Sequence, residues 1–337
     1  MSHPIAAARA RAVPAASSTW AAPGPRRRLQ LVLAGLWLLD AVLQYQSFMF
    51  TRGFPRELAA AAPGNPAFVA GPVRWSAGLV AGHLTLANAA FATLQLLIGL
   101  GIAWRPTARL MLAVSVGWAL AIWWLGEGLG LLLTGTASPV NGAPGAALLY
   151  AVAAVLLWPV ADGTAARGPA ASAGPAVTGT SRPAAGHLAG DVIGDRPARA
   201  VWLLLWGGLA LLAVQPAARA PAAVSGMITE MASGQPGWLA GTDRHIASAL
   251  SGHGLAAAVI LAALLAVTAA LGCLPGRAAA RAAVALGVTL AAVIWVGEGL
   301  GGMFNGMATD PNTGPLLALI ALAYWPGRPA PQPGAQA

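Results

Sequence analysis

Two glutamates occupy the same unusual surroundings in two distant parts of the chain. Glu127 lies in IWWLGEGLGLLLTG (Ile122–Gly135), and Glu298 lies in VIWVGEGLGGMFNG (Val293–Gly306). Each stands between two glycines near the end of a long apolar run. A carboxyl group is costly to place in lipid, so its presence in both segments indicates a role. The recurrence also indicates a tandem duplication of the chain.

In each copy an arginine lies nine residues before a histidine, upstream of the glutamate. At a rise of 1.5 Å per residue, Glu127 stands about 27 Å from Arg109 at the inner end of its helix, and the histidines lie at a similar depth. The pattern predicts one outer-face polar site in each copy, which either anchors a loop or binds a ligand. The candidate residues are Glu127, His83 and Arg74 in the first copy, and Glu298, His253 and Arg244 in the second.

Two polar residues lie deeper, and only in the first copy. Asp40 and Gln95 are about 18 Å and about 15 Å from the inner ends of their helices, at the same helical rise. Because the depths agree, we predict a hydrogen bond between them that joins the first two spans. The second copy has Leu209 in place of Asp40. The pair is either an interhelical clamp or part of an intramembrane proton or quinone site.

Methionines supply a third set of candidates on the outer side of the second copy. Thioether and imidazole groups bind copper, although methionines at helical spacing also serve packing. The residues of this weak copper hypothesis are Met227, Met231, Met303, Met307 and His245. No P-loop, GxSxG, HExxH or CxxC pattern is present, so we predict no catalytic residue and regard enzymatic activity as doubtful.

The elements that position these residues are apolar helices. Hydrophobic residues make up 57% of the chain, charged residues 9%, and the mean hydropathy is +0.68. Soluble domains carry about 25% charged residues, so the composition is that of a membrane protein, with the lipid bilayer as its first partner. A single cysteine, Cys273, excludes an internal disulfide framework. The net charge of +9 comes from scattered arginines, which argues against nucleic-acid binding.

Apolar runs predict an all-α integral membrane protein of two parallel four-helix repeats, about eight spans in all. The predicted spans are Leu29–Phe48, Leu79–Trp104, Thr107–Leu131, Gly145–Pro159, Ala198–Val214, Ile246–Cys273, Ala278–Gly301 and Pro315–Trp325. The last is short for a core of about 30 Å. The corresponding parts are a disordered cytoplasmic N-terminus (1–25), the first repeat (26–160), a flexible cytoplasmic linker (161–197), the second repeat (198–326) and a cytoplasmic tail (327–337).

Arginine placement predicts the orientation. The arginine clusters before, between and after the spans fall mostly on one side, which the positive-inside rule makes cytoplasmic. Arg52, Arg56 and Arg74 are exceptions in a long outer loop. We therefore expect a multi-pass protein of the cell membrane with both termini in the cytoplasm.

Each repeat consists of a first span, a long outer loop with a Pro/Gly passage, and three further spans, with the polar Gln95 in the second span of the first copy. This layout resembles the DoxX-like family of small four-helix membrane proteins, here duplicated over about 130 residues per copy. Some members are subunits of quinone-linked oxidoreductases, so the resemblance implies a membrane redox partner and a quinone as cofactor.

Three functions stay open from the sequence. The first is a non-catalytic membrane subunit or accessory protein, linked to a redox complex. The second is a small-molecule or ion transporter that uses the outer-face glutamates. The third is a quinone-reactive enzyme subunit that uses Asp40 and Gln95. A transporter requires a polar cavity that continues inward from the glutamates, whereas apolar side chains packed below them would argue against it.

Overall fold

The computed structural model describes residues 23–160 and 186–327, and within these ranges every regular element is a helix. The prediction of an all-helical chain is therefore confirmed for this part of the protein. The predicted N-terminal disorder up to residue 22, the linker from 161 to 185 and the tail from 328 onward lie outside the described residues.

Residues 23–160 form six α-helices. They are α1 Pro25–Leu43, α2 Gly53–Ala60, α3 Ala67–Gly82, α4 Leu84–Ala103, α5 Ala108–Leu125 and α6 Ala146–Leu156. The outer loop between the first two predicted spans is thus itself helical, because it holds α2 and α3. A short 3₁₀ turn, Pro139–Asn141, precedes α6.

Residues 186–327 form seven α-helices. They are α7 Leu188–Ile193, α8 Asp195–Ala213, α9 Ala223–Met231, α10 Gly237–Leu250, α11 Gly254–Leu271, α12 Arg277–Gly297 and α13 Thr313–Ala323. Helix α7 and the start of α8 fall in the range predicted as flexible linker, so the end of that range is ordered. The order from α8 to α13 follows that from α1 to α6.

In the part of the chain that the structure describes, four helices are long and apolar enough to cross a membrane: α4, α5, α11 and α12. This indicates a membrane protein. Helices α1 and α8 have 19 residues each, but their first turns carry arginines. Helices α6 and α13 have only 11 residues each, which corresponds to about 16 Å at the α-helical rise.

The two short helices lie at the centre of the molecule. Helix α5 packs on α6, α12 packs on α13, and α6 packs directly on α13. Most residues of α6 and α13 are buried, which suits helices that are apolar on every face. One continuous core therefore joins the halves. Its largest buried side chains include Trp37, Tyr150, Trp206 and Leu316.

Several predicted helix ends differ from the structure, and glycine explains the outer ones. The predicted third span of each copy includes the GEGLG segment, whereas α5 ends at Leu125 and α12 at Gly297. The residues that follow have positive φ angles, for example 55° at Gly128 and 58° at Gly299. A left-handed backbone cannot continue an α-helix, and glycine adopts it without steric cost. The glutamates therefore lie just beyond the helices.

Candidate functional site

Each GEGLG glutamate binds the start of the short helix that follows it. The Glu127 carboxyl oxygen Oε1 accepts a hydrogen bond from the backbone N–H of Ala147, at 3.0 Å, in the first turn of α6. Glu298 Oε1 accepts a hydrogen bond from the Thr313 hydroxyl at the start of α13. The first N–H groups of a helix lack partners within the helix, and an acidic group there is stabilising. Each glutamate thus ties its GEGLG segment to the start of the following helix.

The remaining glycines of the segment allow a close turn. A Cβ atom on Gly130, whose φ is 61°, would overlap the carbonyl oxygen of Pro144. The Trp123 indole N–H donates to that same carbonyl at 2.8 Å. The second copy repeats both contacts with Gly301, Pro311 and Trp295. The turn therefore fixes the loop that precedes the short helix.

Among the described residues, no ion pair joins either glutamate to the arginine or histidine that was predicted beside it. Arg74, His83, Arg244 and His253 are all exposed. The ion pair found within the described ranges joins Arg26 to Asp191, near the other ends of the helices. His253 Nδ1 lies 2.9 Å from the Ser251 carbonyl oxygen rather than beside Glu298. The glutamates contact helix N-termini instead, because α5 and α12 end before them and turn the side chains toward α6 and α13.

A cavity of about 380 Å³ extends inward from Glu127 between the helices of the N-terminal half. Its walls are mainly aromatic and aliphatic. The aromatic residues are Trp37, Phe54, Trp75, Phe91, Trp118 and Tyr150. Its polar residues are Asp40, Gln44, Gln95, Glu127, Thr309 and Asp310, together with Ser76. Glu127, Asp40 and Gln95 thus line one cavity. They lie just after α5, in α1 and in α4, respectively.

Five residues on this cavity each have a buried polar atom without a well-formed hydrogen bond: Asp40 Oδ1, Gln95 Oε1, Trp118 Nε1, Glu127 Oε2 and the Tyr150 hydroxyl, which lies beside the Asp40 carboxyl. Asp40 is 1% exposed and Gln95 5% exposed. Buried polar groups in folded proteins are nearly always paired, so this concentration marks a place where a ligand or water supplies the partners. No hydrogen bond joins Asp40 to Gln95; both residues line the cavity, and each has one oxygen without a partner.

Neighbouring contacts hold Asp40 in position. The Tyr150 side chain faces the Asp40 carboxyl, and its ring lies on Trp37 with a centroid distance of 4.2 Å. One turn further along α1, Gln44 and Asn88 exchange hydrogen bonds, including one of 2.8 Å from the Asn88 amide to the Gln44 carbonyl. The polar Gln44 and Asn88 within apolar runs were the sequence signals for this clamp, which the sequence analysis did not identify.

The loop before α13 brings a further carboxyl group from the C-terminal half. Asp310 lines the same cavity as Asp40 and Glu127. Its Oδ1 accepts a hydrogen bond from the Asn312 N–H at 2.7 Å, and its Oδ2 accepts one from the Thr309 hydroxyl at 2.9 Å. Asp310 is not a candidate on its sequence pattern alone, since its neighbours depend on how the two halves pack.

Burial raises the pKa of the two carboxyl groups at the outer end of the cavity, Glu127 and Asp310. Burial, followed by the nearby Asp310 carboxylate, raises the pKa of Glu127 to about 8. Burial also raises the pKa of Asp310 above its ordinary value, although its two hydrogen bonds oppose the change. A positive ligand would relieve the mutual repulsion of these carboxylates and favour their ionised forms.

The two halves differ at the positions that match Asp40 and Asp310. Leu209, which replaces Asp40, is buried in the core. Ala143 precedes Pro144 where Asp310 precedes Pro311, and it is also buried. Glu298 is 1% exposed, and burial raises its pKa to about 8. The glutamate is therefore retained in both halves, whereas the two aspartates belong to the N-terminal cavity alone.

The residues of the copper hypothesis are spread over separate environments. Met227 packs beside an apolar cluster of Val224, Ile228 and Ala247. Met307 and His245 are exposed, and Met231 lies next to Gly299. Over residues 23–160 and 186–327, no group of three or more histidine, cysteine or acidic side chains is placed to hold a metal ion.

No protein-family model matches the chain, and no curated protein and no solved structure is detectably similar to it. The fold and composition define the class, a helical membrane protein. The cavity is therefore the main structural indication of function.

Proposed function

We propose that the protein is a multi-pass integral membrane protein that binds a small organic cation in the cavity of its N-terminal half. The observation that carries this proposal is the set of unpartnered acceptor oxygens on the cavity, headed by Asp40 Oδ1. Carboxylate and amide oxygens need a donor or a positive charge, so a protonated amine or a quaternary ammonium group fits them.

The walls of the cavity support the same ligand class. Aromatic faces attract cations, and Trp37, Trp118 and Tyr150 line the cavity beside the carboxyl groups. A volume of about 380 Å³ lies within the range of small-molecule sites. The cavity also continues inward from Glu127, as the transporter hypothesis requires, although its walls are mainly apolar and its polar groups are few. Cation binding therefore favours a transporter or a non-catalytic binding subunit over an enzyme.

The membrane arrangement that we propose has two parallel four-helix repeats and eight spans. Helices α1 and α8 would cross with their arginine-rich first turns at the cytoplasmic surface. The short α6 and α13 are surrounded by protein, so hydrophobic matching to lipid does not set their length. The shared order of elements and the matching turns at Glu127 and Glu298 support a duplication. Both termini would then be cytoplasmic.

Choline and its neutral isostere 3,3-dimethylbutan-1-ol provide a direct test. The purified protein in lipid nanodiscs is titrated with each compound by calorimetry at pH 8.5. We expect choline to bind and the neutral alcohol to bind at least about tenfold more weakly, a difference of about 1.4 kcal/mol. Asp40→Asn should weaken choline binding by a similar factor. Equal binding of the two compounds would refute the proposal.

Asp243→Asn is the matched control. Asp243 is buried and its oxygens lack partners, but it lies on α10, away from this cavity. Choline affinity should not change in this variant. A loss of binding equal to that of Asp40→Asn would show a general effect of removing a buried carboxyl group.

A quinone is the second candidate, because the Tyr150 hydroxyl lies beside the Asp40 carboxyl at an apolar wall. It would agree with the DoxX-like resemblance and with a membrane redox partner, both of which stay proposals. Quinones carry acceptor carbonyls, so they would use Tyr150 and the Gln95 amide and leave the carboxylates unpaired. Solvent extraction of the purified protein, followed by chromatography, would detect a bound quinone; its repeated absence would exclude this candidate.

A further inference from the structure

A second cavity lies on the outer side of Glu127. It has a volume of about 430 Å³ and is lined by the two loops that precede α6 and α13, together with the end of α2. We call it the vestibule. The vestibule and the inner cavity share three lining residues, Glu127, Thr309 and Asp310. These residues therefore form the partition between the two spaces.

The partition is built from both halves of the chain. Glu127 is fixed on one side by its hydrogen bond to Ala147. Asp310 is fixed on the other side by Thr309 and Asn312. The two loops touch where a Cβ atom on Gly142 would stand 2.8 Å from Asn312 Oδ1. The three residues that both spaces share thus carry carboxyl and hydroxyl groups.

We infer that organic cations reach the inner cavity from the vestibule through a passage between Glu127 and Asp310, so that the C-terminal half selects the ligand of the N-terminal site by charge. This inference rests on the proposed function for the identity of the ligand. A cation on this route would meet acceptor oxygens at the partition and then those of Asp40 and Gln95, which line the inner cavity.

Two positions that match this lining in the internal repeat are apolar. Ala143 occupies the position equivalent to Asp310, and the nearby Val140 packs with Val224 and Ile228 in an apolar cluster. We therefore expect one selective passage in each chain. The competing route is lateral entry from the bilayer past Trp75 and Leu79, which line the inner cavity and are 62% and 50% exposed.

Thiol labelling tests the passage without any bound ligand. Ala121 lines the inner cavity but not the vestibule. In a Cys273→Ala background, Ala121→Cys is treated with a cationic and an anionic methanethiosulfonate of similar size, 2-(trimethylammonium)ethyl and 2-sulfonatoethyl, at pH 8.5. We expect the cationic reagent to react at least about tenfold faster. Adding Asp310→Asn should reduce that ratio severalfold, because one carboxylate leaves the passage.

Two controls separate the alternatives. Adding Asp243→Asn instead should leave the ratio unchanged, and Ser248→Cys on the exposed face of α10 gives the ratio of the reagents without a passage. No reaction at Ala121→Cys, or a ratio that Asp310→Asn does not change, would overturn the inference and favour lateral entry. If the ratio responds but choline does not bind, the passage stands and the proposed ligand fails.

Discussion

At the scale of single residues, Glu127 and Glu298 form a natural pair for separating structure from function. Both accept hydrogen bonds at the start of a short helix, and burial raises the pKa of each to about 8. Only Glu127 also lines the cavity and the vestibule. The sequence identified both glutamates, but it could not show which atoms they contact, because those atoms lie 15 or more residues further along the chain.

Glu127→Gln and Glu298→Gln should therefore have similar effects on stability and different effects on binding. Glutamine resembles the protonated glutamate that predominates at pH 7, so both variants should unfold within a few degrees of the wild type. Choline affinity at pH 9 should fall severalfold in Glu127→Gln and stay unchanged in Glu298→Gln. Calorimetry and scanning fluorimetry measure the two effects, and an equal loss of affinity in both variants would contradict the assignment.

The same groups predict how stability changes with pH. The folded-state pKa of each glutamate, about 8, lies above the ordinary glutamate pKa of 4.5, so the folded state holds more protons between these values. This contribution is full below about 4.5 and is lost as the pH rises through 8. The melting temperature should fall from pH 7 to pH 9, and Glu127→Gln/Glu298→Gln should flatten the curve. A wild-type melting temperature that does not change between pH 7 and pH 9 would contradict the raised pKa values of the two glutamates.

At the scale of elements, the turn after α5 explains the glycines better than any ligand does. Gly130 combines a φ of 61° with a close approach to the Pro144 carbonyl, so it needs both the freedom and the small size of glycine. Apolar runs predicted where the long helices lie, but they placed the ends too far outward. Hydropathy cannot register a change of backbone handedness, because glycine and leucine are apolar in either conformation.

Gly130→Ala should consequently destabilise the protein by about 2–4 kcal/mol, through backbone strain and through overlap with the Pro144 carbonyl. Gly207→Ala is the matched control, since Gly207 lies within α8 and no atom stands within 4 Å of an added Cβ. That substitution should be neutral or stabilise by about 0.5–1 kcal/mol. Denaturant titrations in mixed micelles compare the two variants, and equal stability would argue against the strained turn.

At the scale of the whole molecule, the halves are matched in their elements and differ in their chemistry. Asp40 and Asp310 come from different halves and meet at one cavity, whereas the matching Leu209 and Ala143 are buried and apolar. The sequence showed Asp40 and its replacement by Leu209. It could not show Asp310 beside Asp40, because that neighbourhood arises from the contact of α6 with α13 and of the loops before them. The functional asymmetry is thus a property of the assembled fold.

The passage admits external cations only if the vestibule faces the outside of the cell, and labelling of introduced cysteines tests this orientation. Ala308 lines the vestibule, and Leu274 lies between α11 and α12 at the opposite end, 55% exposed. In a Cys273→Ala background, a membrane-impermeant maleimide added to intact cells should label Ala308→Cys. It should label Leu274→Cys only after permeabilisation, because the arginine-rich loops are expected in the cytoplasm. The reverse pattern would place the vestibule inside, so that the passage would select cytoplasmic cations instead.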